Sequence, residues 1–168
     1  MFKIGEDIIH GNSGACRVAN VGTLSTGVKG KMYYTLIPYY VKGSSVYTPV
    51  DSEKVYMRPI MTREEVMELI GDIKDIDVLW VKDEKKREEV YKNAIRSCDA
   101  RELVKIIKTI YLRRKSRIEE GKKLTYSDEK YYKMAEDNLY GEVAVALSMT
   151  REEAKAFIEE KVEEKAAD

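Results

Sequence analysis

"VYMRPIMTREEVMELI", residues 55–70, contains the point at which this 168-residue chain changes its period. Upstream of Pro59 the apolar residues alternate with polar ones, whereas Val66, Leu69, Ile70 and Ile73 recur at helical spacing. The change is announced by Thr62-Arg63-Glu64-Glu65, a capping box in which the Thr62 hydroxyl accepts a backbone N–H while Glu65 reaches back to the cap. Arg58, Pro59 and Ile60 are read as the joint, which predicts two domains, 1–60 rich in strands and 61–168 helical.

Working back from the joint, "KMYYTLIPYYV" (31–41) and "SSVYTPVD" (44–51) are rich in Tyr, Val, Ile and Thr, with Lys42-Gly43 as turn material between them. "EDIIH" (6–10) and "ACRVANVGTL" (15–24) are two further candidate strands around a Gly-Asn-Ser-Gly turn, and "VYMR" (55–58) offers a short last one. Four or five short strands with glycines at the turns predict a small SH3- or Tudor-like barrel. Pro38 and Pro49 fall inside or beside strands, a position tolerated only at edges, ends or bulges, so at least one strand edge is expected to be open.

Working forward, Asp99-Ala-Arg-Glu repeats the start signal ahead of Leu103, Ile106, Ile107 and Ile110, and TREE recurs at 150–153 ahead of Ala154, Phe157, Ile158 and Val162. Helices from about Asp83 to Ser97 and from about Asp128 to Leu147 complete an all-α domain of four or five helices. The fold class is therefore α+β, a small β-barrel followed by a helical domain.

The composition, 43% hydrophobic and 36% charged, is that of a soluble globular chain. No apolar run approaches the roughly 20 residues that span a bilayer, and "MFKIGEDII" lacks the regions of a signal peptide, so the expected location is cytoplasmic, with no membrane partner. Cys16 and Cys98 are too far apart in character and position for a CxxC pair and are read as buried free thiols. The single histidine, His10, has no nucleophile or carboxylate beside it, and "GNSG" at 11–14 does not follow the phosphate-loop pattern. The paired glutamates at 64/65, 88/89 and 152/153 read as solvated helix faces. These features predict a protein that binds and does not react: no enzyme, no metal, no cofactor and no small-molecule ligand.

Formal charge sums to zero, yet residues 85–133 carry sixteen Lys/Arg against eight Asp/Glu while 61–84 and 134–168 are acidic. Arg113, Arg114, Lys115 and Arg117 close one helix, and Lys122, Lys123, Lys130 and Lys133 follow on the loop and the next helix. A helix C-terminus attracts cations through its dipole, which explains part of the cluster; the charge that continues past Gly121 points to a polyanion. Thr125, Ser127 and the N-terminus of the next helix add hydroxyl and N–H donors suited to phosphate. The second candidate surface is the hairpin of 31–51, whose five tyrosines (33, 34, 39, 40 and 47) exceed what one face of a small barrel needs, beside an edge suited to β-augmentation.

"MFKIGEDIIHGNSGACRVANV", "YYTLIPYY" and "VYTPVDSEKVYMRPI", followed by "REEVYKNAIRSCDARELVKIIKTIYLRRK" and "LTYSDEKYYKMAEDNLYGEVAVAL", taken as an ordered series, resemble CarD/CdnL transcription regulators. The N-terminal part resembles the RNA-polymerase-interacting domain that these share with transcription-repair coupling factors. The resemblance implies a barrel that adds its edge to a strand of the polymerase β subunit, and a helical domain that contacts promoter DNA at the upstream edge of the bubble, altering open-complex stability. Recognition would be of backbone and minor groove, with little sequence specificity, and a Trp would wedge into the distorted groove. Lys130 falls where the family has a DNA-contacting lysine, Lys133 lies close to a second, and Arg113 and Arg114 match its paired arginines. Tyr47 stands where some members carry an arginine and Ser25 and Thr26 lie near the place of another; with Tyr39 and Tyr40 they are the polymerase-facing candidates. The family's wedge position, four residues before Tyr91, is Arg87 here, and the only tryptophan, Trp80, lies upstream in "DIDVLWVKDEKKR". Trp80 is either the wedge, reaching the groove from an altered helix start, or a core anchor between Leu79 and Val81. The rival to the whole reading is a protein-interaction adaptor that binds no DNA.

Overall fold

The computed structural model describes residues 1–167, with side chains through 164, and the chain divides into two compact units, Met1–Ile60 and Met61–Asp168. The first is a five-stranded antiparallel sheet of order β4-β3-β2-β1-β5, built from β1 (Asp7–His10), β2 (Gly14–Gly22), β3 (Tyr33–Pro38), β4 (Val46–Pro49) and β5 (Met57–Pro59). Its inner face buries Ile8, Cys16, Val18, Tyr34 and Leu36. Alternation along β2 is broken by a bulge between Val18 and Asn20. The extra residue shifts the inward set from even to odd positions, so that Val21, opposite Tyr34, packs on the core after Cys16 and Val18.

The sheet curls. β1 and β4 are separated by two strands in the hydrogen-bonding order, a distance of about 14 Å in a flat sheet, yet His10 Nε2 lies 3.0 Å from Thr48 Oγ1. Both side chains are buried, and burial holds the His10 pKa below its ordinary value. The last candidate strand, 55–58, forms as β5 from Met57 and runs on through Pro59, which the sequence reading places in the joint; Arg58 and Pro59 pair with Ile9 and Ile8.

The second unit contains five helices: α1 (Arg63–Asp72), α2 (Glu84–Arg96), α3 (Ala100–Glu119), α4 (Tyr126–Leu147) and α5 (Arg151–Ala167), with a 3-10 turn at Ile73–Asp75. Both TREE segments form capping boxes, Thr62 with Glu65 and Thr150 with Glu153. Asp83 and Asp99 cap α2 and α3. α4 starts two residues earlier than the sequence reading placed it, because Thr125 Oγ1 accepts the Asp128 N–H at 3.2 Å and so fixes the cap. The apolar stripes converge on Val66, Leu69, Ile70, Tyr91, Leu103, Ile106, Ile110, Tyr131, Leu139, Val143 and Ile158. Glu142 is fully buried among them, and its Oε2 accepts the Met61 N–H at 2.9 Å. No helix among the described residues is long and apolar enough to cross a membrane.

Candidate nucleic-acid and protein interfaces

The basic cluster of the helical unit is two populations. Arg113, on the face of α3 turned toward α4, places Nε 3.1 Å and Nη2 3.0 Å from Asp128 Oδ2, and the Asp128 side chain retains only 2% exposure. This is a structural ion pair joining α3 to the first turn of α4. The buried Tyr91 hydroxyl lies in the same polar cluster without a hydrogen-bond partner among the described residues. Burial, reinforced by the Asp128 carboxylate, pushes its pKa up to about 12. Arg114 stacks over the Tyr132 ring at 4.7 Å, and Arg117 Nε donates to the Lys123 carbonyl at 2.6 Å, closing the α3–α4 loop. All three arginines therefore hold the helices together. Thr125 likewise commits its hydroxyl to the cap.

The lysines are different. Lys115, Lys122, Lys123, Lys130 and Lys133 are exposed. Lys122 and Lys133 make solvent-exposed pairs with Glu120 (3.6 Å) and Asp137 (3.3 Å), contacts easily exchanged for a phosphate. Lys130 lies 5.4 Å from the Tyr131 ring. On α4, Tyr126, Lys130 and Lys133 fall within one face of the helix, since residues three and four apart are neighbours. Tyr126 is 83% exposed, an aromatic neighbour of these lysines that the sequence reading did not single out.

Trp80 is 71% exposed, which overturns the core-anchor alternative. The apolar residues around it do the packing: Leu79 joins the helical core and Val81 is half-buried. Exposed Lys82, Lys85 and Lys86 follow it, three cations that the sequence reading also left aside. Arg87 does not project as a wedge. Its Nε donates to the Val81 carbonyl at 3.0 Å and Nη2 to the Lys82 carbonyl at 3.2 Å, so it binds the two residues that follow Trp80. α2 meets α4 where the Tyr91 and Tyr131 rings approach to 5.8 Å, with the Tyr131 hydroxyl 3.4 Å from Glu88. The Trp80 lysines and the α4 lysines thus belong to elements that share one core.

In the β unit the two sheet edges differ from the inner strands in what their backbone offers. The Val50 N–H donates to the Met32 carbonyl at 3.0 Å. Alternation along the antiparallel ladder then turns Thr48 and Val46 toward β3 and leaves the Tyr47 N–H and C=O pointing outward. Pro49 has no N–H and its carbonyl accepts from Ser52, so the pairing surface on β4 is short. The β5 edge ends similarly, with Pro59 lacking a donor and its carbonyl taken by Arg58 Nη1 at 3.1 Å.

Tyr47 is 56% exposed on the outer face opposite Thr35, diagonal to the exposed Ile37. Tyr39 and Tyr40 leave the far end of β3 with their rings 6.3 Å apart. The Tyr39 hydroxyl donates to Asp7 Oδ1 at 2.6 Å and its ring lies under the Arg17 guanidinium at 5.7 Å; burial and the adjacent Asp7 push its pKa up to about 12. Tyr34, by contrast, is core. Ser25 and Thr26 are exposed on the β2–β3 loop beyond Tyr33, the opposite end of β3 from Tyr39. A six-residue strand separates them by roughly 17–20 Å. Tyr47 and Ile37 are therefore neighbours on the outer face, while Tyr39 and Tyr40 lie at one end of β3 and Ser25 and Thr26 at the other. A cleft of about 780 Å³, lined in part by Lys31, Tyr47, Asp51 and Lys54, runs beside the β4 edge.

A family model for the CarD-like/TRCF RID domain matches residues 2–61, and one for the CarD C-terminal domain matches residues 66–159. The chain belongs to the CarD-like family. CarD-like proteins are RNA-polymerase-interacting transcription factors and not an enzyme family. No individual curated protein gives a match. Among the described residues no cluster of His, Cys, Asp and Glu has metal-site composition, and both cysteines are buried thiols outside any disulfide, with the Cys16 pKa pushed up to about 11 by burial.

Proposed function

We propose that this CarD-like protein docks on the RNA polymerase β subunit through the β4 edge and the exposed side chains of Ile37, Tyr39, Tyr40 and Tyr47. Its helical unit then contacts promoter DNA at the upstream edge of the bubble. Trp80 lies against the distorted minor groove there, Lys123, Lys130 and Lys133 bind phosphates, and the lifetime of the open complex changes. The observation that carries the reading is the exposure of Trp80, 71%, within a segment whose Ile76 and Leu79 pack on the helical core. An indole held in water beside Lys82, Lys85 and Lys86 has the composition of a groove wedge with backbone anchors. Phosphate contacts of this kind give position and salt-dependent affinity without reading sequence.

The β unit supplies proximity. A single outward-facing residue on β4, Tyr47, with one N–H and one C=O, supports only a short augmentation, so the exposed Tyr47 and Ile37 side chains contribute the apolar part of the contact. The adaptor alternative predicts salt-insensitive association and no DNA binding. The double substitution Lys130→Glu and Lys133→Glu separates the two readings. The DNA-binding reading expects weaker promoter binding, a salt slope reduced by about two, and unchanged capture of the polymerase β lobe. Unchanged DNA binding in that variant, or no binding of the wild-type chain to polymerase, would end the proposal.

A further inference from the structure

Irregular backbone carries Trp80 between the 3-10 turn and α2, and the polar groups of the turn and of this segment are bound by side chains projecting from two different helices. Lys108, on α3, points its ammonium at three carbonyls, 2.8 Å from Ile73, 3.2 Å from Lys74 and also onto Ile76. An ammonium has three N–H donors, so this geometry uses all of them. Thr109, the next residue of α3 and 1% exposed, accepts the Leu79 N–H at 2.7 Å and donates its own proton to the Lys105 carbonyl at 2.6 Å. Its hydroxyl is thereby fixed in both directions. Arg87, on α2, holds the carbonyls of Val81 and Lys82. The backbone is tied immediately before Trp80 and immediately after it, while the indole itself stays in solvent.

We propose that Lys108, Thr109 and Arg87 are positioning residues that hold the Trp80 segment in one conformation, and that this preorganisation determines how effectively the tryptophan acts on the promoter. The idea rests on the DNA-facing reading of Trp80 given above. Loop backbone that must insert a ring into a groove loses conformational entropy on binding, and a segment already bound at both flanks loses less. Lys108 is also removed from the set of phosphate-binding cations, despite lying in the basic half of the chain, because its donors are spent on carbonyls. The position four residues before Tyr91, where the resemblance implies the wedge, is here a residue that holds the wedge segment from behind.

Trp80 is the only tryptophan in the chain, so its fluorescence reports this segment alone. Time-resolved anisotropy of the 168-residue chain is compared with that of Thr109→Val, Thr109→Ser, Arg87→Met and Arg87→Lys, with circular dichroism as the check of fold. The expected result is a fast local depolarisation whose amplitude grows at least twofold in Thr109→Val and Arg87→Met, while Thr109→Ser stays at the wild-type value and Arg87→Lys is intermediate. Because Arg87 lies at a partly exposed position on α2, its variants keep the test available if the buried Thr109→Val fails to fold. Unchanged anisotropy in folded Arg87→Met overturns the restraint, whatever the DNA does. Open-complex lifetime is then measured for the same proteins beside Trp80→Ala. The loosened variants are expected to lose several-fold of the effect, approaching Trp80→Ala. Loosened anisotropy with a wild-type lifetime, where Trp80→Ala abolishes the effect, overturns the functional half of the proposal. An inert Trp80→Ala overturns both that half and the DNA reading beneath it, leaving the restraint itself to the anisotropy.

Discussion

Replacing Arg113 by methionine keeps much of the aliphatic stem and deletes both charged contacts to Asp128, at 3.1 Å and 3.0 Å. The carboxylate that remains is 2% exposed, so water cannot readily replace the guanidinium. Breaking a buried pair from one side costs about 3–5 kcal/mol, and the 19% exposure of Arg113 argues for the lower end, about 3 kcal/mol. For a helical unit of roughly 100 residues that is a fall in the midpoint of thermal unfolding on the order of 15 °C. The assay is denaturation followed by far-ultraviolet circular dichroism, with Arg113→Met/Asp128→Asn as the second variant. Neutralising the stranded carboxylate is expected to recover more than half of the loss. The salt slope of DNA binding, measured on the folded protein, is expected to stay at the wild-type value. A stability loss below about 1 kcal/mol together with a slope lowered by about one would refute the structural role and return Arg113 to the DNA.

Ser148 ends α4 at φ 55°, ψ 51°, the left-handed region, and is exposed; Ser148→Gly is expected to stabilise the helical unit by about 1 kcal/mol in urea unfolding, and a destabilised variant would contradict it. Tyr91→Phe removes a buried hydroxyl that has no partner among the described residues, so stability should rise by about 1 kcal/mol, where a loss would show that the hydroxyl is satisfied. His10 binds a proton less readily when folded than when unfolded. Its contribution is therefore complete above pH 6.5 and is lost as pH falls below that value, by up to about 1.4 kcal/mol per pH unit until the folded histidine also titrates. Urea unfolding of the β unit at pH 7.5 and pH 5.5 should show that loss in the wild-type chain and a smaller one in His10→Gln; equal losses would remove His10 as the cause.

Much of the fold was legible because local signals and tertiary structure agree. Both TREE boxes and both aspartate caps start helices where side-chain chemistry says they should, and the Tyr- and Val-rich runs became strands. The bulge in β2 was not legible, since one extra residue leaves composition unchanged and alters only the parity of the inward positions. Site residues were read less well, for a physical reason in each case. Arg113 and Asp128 stand fifteen residues apart on different helices, and only helix packing brings them together. Trp80 has apolar neighbours on both sides, a pattern that reads as core, whereas an irregular backbone turns Leu79 inward and Trp80 out. Lys108 and Thr109 gave no signal at all, because their partners are backbone groups, which every residue possesses.

The most direct measurement places a photo-crosslinking amino acid at position 80 of the full chain and irradiates its complex with RNA polymerase on a promoter carrying a preformed upstream fork. Crosslinks to the DNA within a few base pairs of the fork, lost when Lys130 and Lys133 are changed to Glu, are the predicted result. Crosslinks to polymerase alone, insensitive to those substitutions, would contradict the account and leave a protein that touches only protein.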